Sequence, residues 1–231
     1  MFAALDVYHD AAAHSAAMNM AIDEALLEYA TVPSIRFYRW QSLALSFGYF
    51  GKFAHVACHA SERDLVRRWT GGGIVFHGDD LTYSIVIPAN DEAFSESSVS
   101  IYEKVHRALC DALQGNGKRA VVAGGGDPGG AADAIRTSFS AGGYNCFANP
   151  VRADVMVDGR KIAGAAQRRT RRGLLQQGSI QGIDLENGLS ERFAEALSVN
   201  FSEREVDRRI LERGRELVQH RYGTDAWLRK R

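Results

Sequence analysis

Lysine, proline and cysteine are all scarce in this chain of 231 residues, and a net charge is missing altogether. The three cysteines (Cys58, Cys110, Cys146) are scattered and form no CxxC pair, which excludes a disulfide framework and a structural zinc knuckle, so each is expected as a free thiol and no metal site is expected. The four prolines never cluster into a linker, and no repeat recurs at a fixed period, so residues 1–231 read as one domain. Lys+Arg and Asp+Glu both number 28, leaving no overall electrostatic pull towards nucleic acid or an anionic membrane; an anionic partner has to be met by a local patch. No run approaches about 18 apolar residues, and the start Met1-Phe-Ala-Ala-Leu-Asp-Val7 lacks the charged head and apolar centre of a signal peptide. A cytoplasmic protein without nucleic-acid or membrane partners is the expectation. What remains is ample for a core: 45% hydrophobic and 10% aromatic residues exclude a disordered or collagen-like chain.

Hydrophobic spacing places a first amphipathic helix over about Ser15 to Tyr29, with Met18, Ile22, Ala25, Leu26 and Tyr29 on one face. Arg36–Trp40 and Leu43–Phe47 read as short strands joined by a polar turn, His55 to Asp64 as a helix before a strand at Leu65-Val66, and Leu81–Ile87 as a strand closed by Pro88. A second long helix is predicted from Ser98, burying Ile101, Val105, Ala108, Leu109 and Ala112, with Ser100 and Glu103 spaced as a capping box. Nine of the 23 glycines fall between Gly115 and Gly143, which predicts a long mobile surface loop. Beyond it Asp154–Asp158, Arg160–Gln167 and Gly173–Ile180 read as hairpin-linked strands, and the tail as helix, with Ser202 and Glu205 as its capping box. Helices at both ends around central strands predict an α+β layer fold with a mixed or antiparallel sheet.

Several segments carry chemical possibilities. In Arg67-Arg-Trp-Thr-Gly-Gly-Gly-Ile-Val-Phe-His77 three glycines let backbone N–H groups approach a ligand, and the arginines suit a carboxylate or phosphate; spacing alone fits a hairpin turn with exposed arginines equally well. Gly124-x-Gly126-x-x-Gly129 matches a dinucleotide fingerprint literally, but no acid lies between Tyr144 and Ala153 where the ribose partner belongs. His55-x-x-Cys58-His59 lacks a marked fourth ligand and reads as plain surface, and Arg168-Arg-Thr-Arg-Arg172 as a solvated hairpin tip. Only five of the 28 basic residues are lysines, so Lys161 stands out inside Gly159-Arg-Lys-Ile-Ala-Gly-Ala-Ala-Gln167, where small neighbours leave room for a ligand and a buried ammonium needs an anion or carbonyl to face. Cys146 ends the glycine-rich stretch; a cysteine there reads as a small hydrophobe, unless a nearby lysine favours its thiolate.

Taken in order and spacing, Asn19-Met-Ala-Ile-Asp-Glu24, Arg67-Arg-x-Thr-Gly-Gly-Gly-x-Val-Phe-His77, Leu81-Thr-Tyr-Ser84, Gly159-Arg-Lys-Ile-Ala-Gly164 and Tyr222-Gly-Thr-Asp-x-Trp227 resemble the biotin/lipoate protein ligase superfamily over nearly the whole chain except the Gly115 to Gly143 stretch. The resemblance implies a catalytic α+β domain with a mixed, mainly antiparallel sheet flanked by helices. It implies an acyl site drawn from Arg68, Thr70, Gly71, Gly72, Gly73, Val75, His77, Tyr83, Gly164 and Ala165, with Lys161 on the acyl carbonyl or acyl-adenylate phosphate. Within the superfamily, Cys146-Phe147 followed by a strand, Gly-Arg-Lys-Ile-Ala-Gly-x-Ala-Gln and Gln176-Gln-Gly-Ser-Ile180 look like the cysteine-dependent octanoyltransferase branch, as does a chain ending at residue 231 without the further C-terminal domain of many ligases. Trp69 stands where proline is common and Gln177 where that branch often has histidine. The transferase reading makes Cys146 and Lys161 catalytic and needs no cofactor. Its expected partners are acyl carrier protein as octanoyl donor and a lipoyl domain or glycine-cleavage H protein as acceptor. The alternatives are an ATP- and Mg-dependent lipoate-protein ligase working through lipoyl-AMP, and a non-catalytic acyl-binding accessory module.

Overall fold

Small and β-branched residues dominate the central segments, and in the computed structural model they assemble into two sheets. The structure describes residues 1–115, 117–124, 152–183, 185 and 188–230. The strands are β1 (Leu5–His14), β2 (Ser34–Trp40), β3 (Ala44–Phe47), β4 (Asp64–Arg67), β5 (Ile74–His77), β6 (Leu81–Pro88), β7 (Ala120–Val122), β8 (Val155–Val157), β9 (Arg160–Arg169), β10 (Gly173–Ile180) and β11 (Phe201–Arg204). The helices are α1 (Ala16–Tyr29), α2 (Ser98–Gln114), α3 (Leu189–Leu197), α4 (Arg208–Leu217) and α5 (Asp225–Leu228). The large sheet runs β11-β1-β2-β6-β10-β9-β8-β7, with β1 parallel to both neighbours and every other pair antiparallel; β4-β3-β5 form the small sheet. This is the mixed, mainly antiparallel α+β arrangement expected. The β8–β9 hairpin turns on Asp158 and Gly159, whose φ angles of 49° and 75° are those an Asp-Gly pair accepts in a tight two-residue loop.

One face of the large sheet packs on α2 and α3 through Ile101, Val105, Leu109, Phe193 and Leu197, and the other packs on α1 and α4. Every residue of α1 from Asn19 to Leu27 is buried, because sheet and α4 enclose it on several sides; Gly214 of α4 lies against Met18 so closely that an added Cβ would come within 3.0 Å of its Cε. Ser15 caps the helix, its Oγ accepting from the Met18 N–H.

Several local expectations are corrected. The His55 to Asp64 segment forms two short 3₁₀ turns, Phe53–His55 and Ala57–His59, instead of an α-helix. The cap of α2 is Ser97, which accepts from the Ser100 N–H, while Ser100 Oγ donates to Glu96 and Glu103 pairs with Arg107. Ser202 lies in edge strand β11, and α4 starts later under an Asp207 cap. Within the glycine-rich stretch Ala120–Val122 is strand; residues 125–143 lie outside the described residues.

Candidate active site

The site grows from a polar seam beneath α1. Arg36 on β2 is fully buried, and its guanidinium donates to Asp10, to the Asn19 side chain and carbonyl, and to Asp23 at 2.8 Å. Asp23 also accepts from Tyr38 Oη, Ser84 Oγ and Gln177 Nε2, so its burial is fully compensated. Gln177 in turn accepts from Thr70 Oγ1 at 2.8 Å, tying the glycine loop to the central strand β10.

Above this seam, between the two sheets, lies a pocket of about 450 Å³. Met20, Tyr38, Trp40 and Val75 supply apolar walls, and Gly72, Gly164 and Ala165 supply backbone. Alternation along β5 explains why Val75 and His77 face this cavity while Ile74 and Phe76 pack on the small sheet's other side. His77 stacks on Trp40 with ring centroids 4.0 Å apart and anchors a buried polar relay: its Nδ1–H donates to Asp80 at 2.7 Å, and its Nε2 accepts from Ser46 Oγ at 2.7 Å. Arg68 donates to Ser46 Oγ and to the Gly71 and Gly73 carbonyls, so the relay ends by shaping the glycine loop. Burial pushes the His77 imidazole below its ordinary value despite the Asp80 carboxylate. Burial pushes Asp80 upward, but the hydrogen bonds from His77, Ser179 and Thr82 outweigh it and bring the carboxyl down. The ring is therefore neutral near neutrality, as the relay's donor order requires.

Lys161 lies at the rim of this pocket. Its Nζ is 2.7 Å from Asp154 Oδ2, with 3% of the lysine side chain and none of the aspartate's exposed. Tyr102 of α2 donates to Asp154 Oδ1 at 2.7 Å and accepts from the Ala165 N–H, so helix, β9 and the β8 approach hold the pair together. Gly164 leaves the ammonium its place: a Cβ would come within 2.7 Å of Lys161 Cε and 2.8 Å of its Nζ. A second cavity of about 950 Å³ opens on the other side and shares Gly72, Lys161 and Ala165 with the first. An ammonium at the junction of an apolar pocket and an open cleft is placed to stabilise negative charge developing on a carbonyl oxygen there.

The structure thus brings together Lys161, Arg68, Gly72, Gly73, Val75, His77, Gly164 and Ala165 around the two cavities. Thr70 and Gly71 support the loop through Gln177 and Arg68 instead of lining either space. Tyr83 is a correction: it points through the opposite face of β6 into the α2–α3 core, where its hydroxyl donates to His106 Nε2 at 2.9 Å. Its neighbours Thr82 and Ser84 take the site side. Arg67 is buried and spends its guanidinium on the carbonyls of Tyr49, Gly51, Trp227, Leu228 and Lys230, a clasp on the chain's end that leaves it no anion to bind. Cys146, and Gly126 and Gly129 of the dinucleotide-like run, lie outside the described residues. Among the described residues no group of three or more His, Cys, Asp or Glu side chains could hold a metal ion, and no helix is long and apolar enough to cross a membrane.

Residues 15–208 match the family model of the lipoyl protein ligase A/B catalytic domain. The chain belongs to that family. Curated relatives named octanoyltransferase LipM include one from Oceanobacillus iheyensis, 38% identical over 71% of this chain and 59% of its own length, so the match spans about three fifths of that relative. Another, from Brevibacillus brevis, is 33% identical over 84% of this chain and 74% of its own length. The fold is shared with a bipartite lipoate protein ligase from Thermoplasma acidophilum, solved as part of a system with its E2 lipoyl domain: TM-score 0.72 and 19% identity, over 98% of this chain and 96% of that one.

Within this lipoyl ligase A/B domain the reading from sequence missed Asp154, Tyr102, Trp40, Ser46 and Asp80. Asp80 carried a usable signal, standing three residues after His77 in a polar turn, whereas Ser46 meets His77 only because β3 and β5 pair. Asp154 reaches Lys161 across a register irregularity between β8 and β9, which no spacing rule anticipates.

Proposed function

We propose that this protein is an octanoyltransferase of protein lipoylation, passing an octanoyl group from acyl carrier protein to the lysine of a lipoyl domain or glycine-cleavage H protein through a thioester on Cys146. The observation that carries the reading is the buried Lys161–Asp154 pair at the mouth of an apolar pocket, supported by the LipM names of the curated relatives. In the first step the Cys146 thiolate attacks the donor's thioester carbonyl; a new C–S bond forms to Cys146, the donor's C–S bond breaks, and its thiol leaves as thiolate. In the second, the acceptor's neutral ε-amine attacks the octanoyl-cysteine carbonyl; a C–N bond forms, the C–Sγ bond breaks, the nitrogen loses a proton, and Cys146 is regenerated. Lys161 stabilises the oxyanion in both steps and favours the thiolate, while Asp154 and Tyr102 fix its ammonium. The acyl chain lies against Met20, Trp40 and Val75. Thioester exchange is near-neutral and amide formation is downhill, so neither ATP nor metal is required, and a cytoplasmic setting follows from the donor.

The test is transfer without nucleotide. Octanoyl acyl carrier protein and a lipoyl domain, mixed with the enzyme in the absence of ATP, should yield octanoylated lipoyl domain. The ligase reading requires the reverse: no transfer from that donor, and pyrophosphate release when lipoate, ATP and Mg²⁺ are supplied. A non-catalytic acyl-binding module would give neither product.

A further inference from the structure

The second cavity is larger than the acyl pocket, and the acyl group does not account for it. It meets the first only at Gly72, Lys161 and Ala165. Its walls differ in kind. Phe47, Phe50, Val56 and Ile74 offer apolar surface, the backbone of Gly48, Gly51 and Gly73 gives close access to peptide groups, and Lys52 and His55 stand at the polar side. Phe50 is 84% exposed, an aromatic ring held at the rim with little protein over it. Lys52 is exposed at the cavity's edge, and among the described residues no carboxylate pairs with it. Asp154 is the cavity's sole acid among its described lining residues, and it is engaged by Lys161, so the cleft retains a cationic end.

Placement decides what such a cleft is for. A thioester whose alkyl chain fills the first pocket and whose carbonyl sits at Lys161 must send its thiol substituent away from the junction, and the second cavity is the space contiguous with that point. We infer that this cavity is the binding site for the 4′-phosphopantetheine arm of the acyl donor, with Lys52 meeting the phosphate and Phe50 covering the arm's dimethyl segment. The inference rests on the transferase reading above and extends it to the donor's non-reacting portion. The arm's two amides match the exposed peptide groups of the glycine-lined walls, and a phosphate in reach of an ammonium gains a charge-assisted contact that a dephosphorylated arm lacks. Binding energy from this remote part would position the reacting thioester.

The test grades the donor. Acyl loading of the full-length protein is measured with octanoyl-4′-phosphopantetheine, octanoyl-pantetheine, which lacks the phosphate, and octanoyl-N-acetylcysteamine, which lacks most of the arm. Binding of unacylated 4′-phosphopantetheine is followed separately by calorimetry. Lys52→Glu should raise KM at least about tenfold for the phosphorylated donor with kcat little changed, leave octanoyl-pantetheine within about twofold, and weaken 4′-phosphopantetheine binding to a similar degree. Phe50→Ala should raise KM for both pantetheine donors but not for octanoyl-N-acetylcysteamine. Equal effects of Lys52→Glu on all three donors, or none on any, would overturn the assignment, as would a cavity that binds ATP with Mg²⁺ in a Lys52-dependent way and does not bind 4′-phosphopantetheine. If no thioester loads the protein at all, it is the transferase reading that fails, and the calorimetric arm still decides whether the cavity takes 4′-phosphopantetheine.

Discussion

Lys161 Nζ and Asp154 Oδ2 lie 2.7 Å apart where the two cavities meet, and both side chains are withdrawn from solvent. A lysine buried in this way is held for its charge, and the aspartate and Tyr102 determine where that charge points. Asp154→Asn should therefore lower kcat by about 10–100-fold, the range seen when an outer partner of a functional group is lost. It should also destabilise the fold on the order of 3 kcal/mol by weakening compensation of a buried ammonium. Adding Lys161→Met to Asp154→Asn should restore part of that stability, measured by urea unfolding, while activity stays absent. No recovery of stability in the double variant would show that the two charges are not energetically coupled.

Gly164→Ala isolates position from charge. The new methyl would fall within 2.7 Å of Lys161 Cε, the far end of a flexible chain that can move aside. Stability should change by no more than about 1 kcal/mol, whereas a displacement of an ångström at the reacting centre can cost about 10²-fold in rate. Thermal unfolding and initial rates measured on one preparation would separate the two effects. Full activity with unchanged stability would place the reacting carbonyl elsewhere.

Neighbouring arginines should behave differently. Arg67→Ala takes the donor from five part-buried carbonyls, those of Tyr49, Gly51, Trp227, Leu228 and Lys230, and should destabilise by about 3 kcal/mol. Arg68→Ala loosens the loop carbonyls of Gly71 and Gly73 and should act mainly on acyl-donor KM. Denaturant midpoints and KM values for the two variants provide the comparison, and an Arg67 variant as stable as the parent would remove the clasp role.

His106 is enclosed between Tyr83 and the Ala153 carbonyl, and burial lowers its pKa to about 4 from an ordinary value of 6.5. The unfolded chain therefore binds a proton at this residue between about pH 6.5 and 4 that the native protein does not, so the stabilisation is complete above that window and is lost as pH falls through it. The loss amounts to about 3 kcal/mol. His106→Gln removes this linkage, so the stability gap between parent and variant, read from urea unfolding at several pH values, should narrow as pH falls from 6.5 to 4. A constant gap would mean that His106 does not titrate on unfolding.

Much of the frame is written in residue patterns that are strong at short range. Gly173–Ile180 is a strand with the bounds its β-forming run suggests, and the face of α1 follows its helical spacing. Lys161 was visible because a lysine among small residues is costly unless it has a use. Tyr83 was misplaced although a signal was present: Thr82 and Ser84 alternate with Leu81, Tyr83 and Ile85 along β6, and that period of two puts the tyrosine on the core face and the two hydroxyls on the site face. The Ser202–Glu205 spacing imitates a helix cap, but β1 offers an unpaired edge, and parallel pairing with it takes those residues first. The Lys161–Asp154 and Ser46–His77 contacts depend on sheet register between separate segments, information absent from any single stretch of chain.

Catalysis through a covalent octanoyl-enzyme is tested most directly by intact mass spectrometry after brief incubation with octanoyl acyl carrier protein. The parent protein should gain one octanoyl group, released by hydroxylamine and mapped by peptide analysis to Cys146, while Cys58→Ser and Cys110→Ser load normally and Cys146→Ser forms no thioester and does not turn over. A protein that stays unmodified, and whose Cys146→Ser variant still joins lipoate to a lipoyl domain with ATP, would contradict the transferase mechanism and leave a ligase.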